Sequence, residues 1–143
     1  MSELRQIWIK RMKGGPMDAA QTARMVAGKG IAGNANQRGK RQVTIVSDRH
    51  WAGVTSPLGH TPDPRLRRAN LLVSDVDFIN ARGKVLKIGN VRIRINGETR
   101  PCEQMEDAVP GLQAAMSVPW GGGAFGEILD DGEIAVGDPV ELL

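Results

Sequence analysis

Apolar residues recur along this chain in short runs, and many of the runs alternate with polar positions. Alternation of that kind marks strands with one face on a core. In Leu4–Lys10, Ile7 and Ile9 share one side and Trp8 takes the other, so a first strand is expected. Residues 42–46 form a short apolar strand, and Leu71–Val73 another. The pattern is strongest in residues 84–88 and 91–96, which flank Gly89-Asn90, a two-residue hairpin signature. Within 91–96, Val91, Ile93 and Ile95 alternate with Arg92, Arg94 and Asn96, which predicts a core face and a basic solvated face. The C-terminal third repeats the theme. Strands are expected over 125–129, 133–136 and Val140–Leu142, joined by turns at Asp130-Asp131-Gly132 and Gly137-Asp138-Pro139 as a β-ribbon.

Helix signals are few. Asp18 is placed to cap a short helix running to Val26 and ended by Gly28 and Gly30. Pro110 suits a first helical turn, with Leu112, Ala115 and Met116 on one face. Residues 30–40 read as a loop of Gly, Asn and basic residues. Residues 47–64 read as a long irregular segment holding three prolines, two glycines and both histidines. Short strands, glycine turns and little room for βαβ crossovers predict a mainly β fold: a small closed or semi-closed barrel with a few short helices. With no repeat and no linker, one domain over 1–143 is expected.

Composition narrows this picture only moderately. The 143 residues are 41% hydrophobic, an ordinary globular value, and 18 glycines with 8 prolines suit a turn-rich β fold. Aromatics are only 3%, so the core must be built from Val, Ile, Leu, Met and Ala. The N-terminal region has no uninterrupted apolar run, so neither a secretory signal nor a membrane span is expected. A single cysteine excludes an intrachain disulfide and fits a reducing compartment, so a cytoplasmic location is expected. The formal net charge of +3 permits an anionic partner without choosing among nucleic acid, phosphate and cofactor.

That cysteine, Cys102, sits in the most distinctive stretch. The strand beginning at Val91 is expected to turn at Asn96-Gly97, and Arg100-Pro101 precede the sulfur. Proline removes a ladder donor and should end the pairing, leaving Cys102 on a loop or edge beside a guanidinium. A nearby cation favours thiolate, the nucleophilic and metal-binding form. A small buried hydrophobe is the competing reading of a lone cysteine.

Asp48, His50, His60 and Cys102 could be drawn as a zinc set, although their spacing matches no zinc motif. Cys102 with a histidine and Asp48 could likewise be drawn as a hydrolase site. Residues 121–126 hold no Walker lysine and read as a flexible turn. Arg65, Arg67 and Arg68 form either a solvated charge run or a clamp for phosphate or nucleic acid.

Several motifs taken in order resemble the MOSC domain, the family named for the C-terminal domain of molybdenum cofactor sulfurases. They are Gly28-Lys29-Gly30-Ile31-Ala32-Gly33, then Arg41-Gln42-Val43, then the Arg-rich approach to Asn70-Leu71-Leu72-Val73. Leu86-Lys87-Ile88-Gly89 follows, then Arg100-Pro101-Cys102-Glu103, where the family carries its characteristic cysteine, and finally Gly132 to Val140. The resemblance implies a β-barrel-like fold and a pocket around Cys102, which would carry persulfide sulfur or ligate the metal of a molybdenum cofactor. Arg41, Arg68 and Arg100 would hold an anionic group of that cofactor, and Asn70 would add a hydrogen bond. A cysteine desulfurase or a redox protein is the implied partner, because no pyridoxal-phosphate desulfurase domain is recognised here. Asn34 stands where the family often has aspartate. The alternative from another class is a non-catalytic module that binds nucleic acid or another anion through an Arg-rich surface.

Overall fold

The computed structural model describes residues 2–12, 17–35, 37–55, 69–99, 120 and 123–143; of residues 50, 54 and 55 it describes the backbone only. Eleven strands and one helix lie among them: β1 (Leu4–Lys10), β2 (Met17–Ala20), β3 (Thr22–Val26), β4 (Gly30–Ile31), β5 (Val43–Ser47), α1 (Asp48–Thr55), β6 (Leu71–Val73), β7 (Val85–Ile88), β8 (Val91–Glu98), β9 (Ala124–Ile128), β10 (Gly132–Ala135) and β11 (Val140–Leu142). They form an eight-stranded sheet in the order β11-β7-β8-β9-β5-β6-β1-β2 and a three-stranded sheet in the order β10-β3-β4.

The protein is mainly β, as the pattern predicts; among the described residues neither sheet is closed into a barrel. The nearest approach among the described residues is one antiparallel bridge, Glu3 to Pro139, which links the start of β1 to the chain entering β11. There the Leu4 N–H donates to the Asp138 carbonyl at 2.9 Å and the Gly137 N–H to the Leu4 carbonyl at 2.7 Å.

The hairpin at Gly89-Asn90 forms as expected, with Ile88 paired to Val91 and Gly89 at φ 56°, the positive φ such a turn needs. β8 then alternates cleanly: Val91, Ile93 and Ile95 are fully buried while Arg92 and Arg94 are exposed. These side chains join Leu4, Ile7, Met25, Ile45, Leu71, Leu86, Ile128 and Ile134 in a core shared by both sheets.

Four local expectations are corrected. The helix expected over 18–26 is instead β2 and β3. Met17 to Ala20 pair with β1, and Thr22 to Met25 pair with β10, burying Ala23 and Met25 on alternate positions. Tertiary pairing outweighs the helix-forming tendency of Ala and Met there. Asp18, read as a cap, forms an ion pair with Arg11 at 2.7 Å.

The turn expected at Asn96-Gly97 is a bulge inside β8, which continues to Glu98. Gly97 is there for close approach, since a Cβ at that position would lie 3.1 Å from the Phe125 ring and 3.3 Å from the Arg82 guanidinium. The irregular segment expected from residue 47 opens with α1, whose Trp51 is buried and which packs against β5. It connects β5 to β6 as a parallel pair, a crossover for which the strand pattern predicts little room. Finally, the C-terminal strands are no ribbon. β9 pairs with β5 and β8, β10 with β3, and β11 with β7.

Candidate functional site

β5 is buried at all five positions. Val43 and Ile45 enter the main core, whereas Thr44 and Val46 point to the other face and lie outside that cluster. A threonine inside such an apolar strand needs a polar partner, because an unpaired buried hydroxyl is costly. The partner is Asn70, the last residue before β6.

The Asn70 backbone N–H donates to the Thr44 hydroxyl and carbonyl, each at 3.0 Å. Its side-chain oxygen accepts from the Thr44 N–H at 3.1 Å and the Thr44 hydroxyl at 3.2 Å. Its amide nitrogen donates to the Trp8 carbonyl and to Asn34 Oδ1, both at 3.1 Å. Four segments therefore meet at one buried amide: β1, the turn after β4, β5 and the start of β6. Of the residues expected at the site, Asn70 is thus a fully engaged hub.

Asn34 is the second member. Its Oδ1 also accepts from the Lys10 N–H at 2.9 Å, and it is 5% exposed. Its Nδ2 is buried without a partner, the one such atom among the described residues. Two glutamines staple the surrounding loop. Gln37 Nε2 donates to the Ile31 and Asn34 carbonyls, both at 2.8 Å. Gln42 is 2% exposed; it donates to the Gly39 carbonyl at 2.9 Å and accepts from the Ile128 N–H at 3.0 Å. Arg41 is exposed on this loop beside Gln42 and makes no hydrogen bond to Asn70. Residues 27–43 hold Lys29, Arg38, Lys40 and Arg41, all exposed, and no carboxylate. Among the described residues none of these four cations has an ion-pair partner.

Cys102, Arg68 and Arg100 lie outside the described residues, as do His60, Arg65, Arg67 and the helix expected from Pro110. Asp48 opens α1, and its carboxylate is already engaged. One oxygen accepts from the Asp75 N–H at 3.3 Å, and the other lies 3.9 Å from Arg5 Nε. Among the described residues no cluster of three His, Cys, Asp or Glu side chains could hold a metal.

The described chain on either side of the cysteine segment is tied together. The Thr99 N–H donates to the Gly123 carbonyl at 3.0 Å, and the Trp120 N–H donates to the Glu98 carboxylate. Trp120 holds φ at 60°, unusual for a bulky side chain, and its carbonyl accepts from the Gly123 N–H. Gly123, read as part of a flexible turn, is jammed against β5: a Cβ there would lie 2.3 Å from the Ile45 carbonyl oxygen.

The model of the MOSC domain family matches residues 10–141. The chain belongs to the MOSC domain family. Solved structures share its fold at low identity. The YuaD protein from Bacillus subtilis superposes with a TM-score of 0.80 at 19% identity, covering 99% of this chain and 96% of that one. YiiM from Geobacillus stearothermophilus gives 0.76 at 13% identity, covering 100% of this chain and 75% of that one. YiiM from Escherichia coli gives 0.72 at 14% identity, covering 100% and 70%. No curated protein sequence matches the chain. In this MOSC domain, Asn34, Thr44, Gln37 and Gln42 are the polar residues that the strand pattern alone did not single out as site-forming. The available signal was a threonine inside a Val-Ile run and amides beside glycines. No described helix is long and apolar enough to cross a membrane.

Proposed function

We propose that this MOSC domain is a sulfur carrier or molybdenum-cofactor-binding protein that works through Cys102. The observation that carries the reading is the family match across residues 10–141, a span that contains the chain's single cysteine within Arg100-Pro101-Cys102-Glu103. Thiolate suits both tasks, being nucleophilic toward sulfane sulfur and a soft metal ligand. For sulfur transfer, the Cys102 thiolate attacks the outer sulfur of a donor persulfide. A new S–S bond forms as the old one breaks, and the donor leaves as thiolate, so no outside oxidant is required. A cysteine desulfurase or another persulfide-bearing protein would be that donor.

A bound molybdenum cofactor would supply the redox chemistry of its metal. The described residues fit an anionic group of this kind. The buried amide nitrogen of Asn34 lacks an acceptor among the described residues, and the adjoining segment is basic and free of carboxylates. Arg41, Arg68 and Arg100 would hold the anion, and Asn70 would keep the pocket wall in register through its contacts to Thr44, Trp8 and Asn34.

The test compares wild type with Cys102→Ser, assaying sulfane sulfur by cyanolysis and molybdenum by elemental analysis on gently purified protein. Loss of both signals with the fold intact is expected. A serine variant that carries sulfur or molybdenum at the wild-type level overturns the reading. The exposed cations Arg38, Lys40 and Arg41 favour a second reading, an anion-binding module in which the cysteine is structural. Under that reading the thiol stays masked to alkylating reagents until the protein unfolds.

A further inference from the structure

We infer that Asn34 is an oxyanion-binding residue of this MOSC domain, its side-chain N–H group donating to a phosphate-type oxygen enclosed beside the basic segment 27–43. The inference takes from the proposed function only that the domain binds an anionic ligand.

The argument starts from the amide's orientation. Asn34 Oδ1 accepts two hydrogen bonds, from the Lys10 N–H at 2.9 Å and from Asn70 Nδ2 at 3.1 Å. Turning the amide over would set NH2 against two donors, so the orientation is fixed by the network rather than by choice. Asn70 is itself locked, because its oxygen accepts from both polar groups of Thr44. Nδ2 of Asn34 is therefore left as a donor with a known sense and no acceptor among the described residues, exposing less than 1 Å². Buried donors are nearly always paired, and an exception asks for a group the chain does not itself supply.

The charge of the segment that carries this donor selects the acceptor. Lys29, Arg38, Lys40 and Arg41 are exposed on the same segment, and 27–43 contains no Asp or Glu. The carboxylate seen to engage that segment is Asp131, which accepts from the Ala27 N–H at 2.8 Å at the segment's start. A field of this sign raises the local concentration of anions. An oxygen that carries negative charge and no proton is the complement of an N–H that cannot accept. Phosphate-type oxygens meet both demands, and a bond to a charged acceptor is stronger than one to a neutral group. Gln37 and Gln42 hold the loop that carries the donor in place.

The decisive experiment follows the Asn34 side-chain amide directly by NMR. Uniformly 15N-labelled full-length protein is titrated with inorganic phosphate, and separately with glycerol 3-phosphate, at constant ionic strength set with chloride. The Asn34 NH2 pair is assigned by its disappearance in Asn34→Asp, a change that keeps an oxygen for Lys10 and Asn70. The pair should move saturably with phosphate, and Asn34→Asp should bind about tenfold more weakly or worse. A shift with both probes means that a phosphate ester is accepted; a shift with inorganic phosphate alone means that the free ion is the ligand. Both sustain the inference.

The inference is overturned if both probes leave the pair unmoved, or if Asn34→Asp binds phosphate as tightly as wild type. It is equally overturned if a long-lived internal water gives a cross-peak to the pair that saturating phosphate does not displace. Should Asn34→Asp fail to fold, the pair is assigned through its bond correlations to the Asn34 backbone, and the wild-type titration decides. Cys102→Ser should bind phosphate like wild type, so loss of sulfur chemistry in that variant bears on the proposed function and not on Asn34.

Discussion

Replacing Asn70 tests the polar hub on which the candidate site stands. In Asn70→Ala the Thr44 N–H and hydroxyl lose their side-chain acceptor, and the Trp8 carbonyl and Asn34 Oδ1 each lose a donor. Asn70 is 3% exposed and Thr44 5%, so water cannot readily replace those partners. Leaving a buried polar group unpaired costs about 1–3 kcal/mol. Asn34 Oδ1 still accepts from Lys10 and the Thr44 hydroxyl still accepts from the backbone N–H of residue 70, so two backbone groups bear most of the loss, for a total of about 2–6 kcal/mol. That is a large part of the roughly 5–15 kcal/mol that holds a typical domain folded.

Asn70→Asp sharpens the test because its shape is unchanged. One carboxyl oxygen still accepts from Thr44, but the other faces the Trp8 carbonyl and Asn34 Oδ1, two acceptors. Only the protonated acid can donate there, so the folded pKa rises above the ordinary carboxylate value. A raised folded pKa contributes stability that is present below the unfolded pKa and is lost as pH rises through the folded one. Urea unfolding at several pH values should therefore show Asn70→Asp nearest to wild type in acid and furthest from it at neutral pH. A pH-independent deficit, or an Asn70→Ala loss under about 1 kcal/mol, would refute the reasoning.

Three further outcomes follow from the packing. Ile93 is fully buried in the core, so Ile93→Ala should cost about 2–5 kcal/mol in denaturant unfolding, and a near-neutral result would mean that the core face of β8 is misassigned. Gly126 pairs with both β5 and β8, and a Cβ there would lie 2.1 Å from the Arg94 carbonyl oxygen, so Gly126→Ala should destabilise by about 1–3 kcal/mol or more, read from thermal unfolding; wild-type stability would show that the strands separate freely. The Arg92 guanidinium grips Asp130 at 2.9 and 3.0 Å and holds its carboxyl below the usual range. A lowered folded pKa contributes stability above the unfolded pKa and loses it as pH falls through the folded one. The stability gap between wild type and Arg92→Ala should accordingly shrink on acidification, and a gap that grows in acid would contradict the pairing.

The strands that could be read from the chain are those whose order is enforced locally. β7 and β8 share a two-residue turn, and alternate side chains of β8 fall into one core, so period and punctuation agree. β2 and β3 could not be read that way. Met17-Asp18-Ala19-Ala20 carries no strand signal of its own; its pairing is dictated by β1 and that of β3 by β10, more than a hundred residues further along the chain. The same limit explains the mistaken ribbon. The turns around Gly132 and Gly137 are real, but each sends the next strand to a partner elsewhere in the fold.

The site shows the limit most sharply. Asn70 could be marked in advance from a motif resembling the MOSC domain, but as a hydrogen-bonding partner of a ligand; that its amide joins Thr44, Trp8 and Asn34 was not legible. Asn34 could be marked only as a departure from the family's frequent aspartate, and its meaning depends on direction. Had its oxygen been free and its nitrogen engaged, the same residue would invite a donor or a cation. Two donors on Oδ1, one from β1 and one from Asn70, reverse that and leave an N–H facing inward. No pattern along the chain encodes this, because the two donors come from positions 24 residues before and 36 residues after Asn34. The hydrogen-bonding sense at Asn34 is a property of where three distant segments meet, and no count of arginines along the chain reveals it.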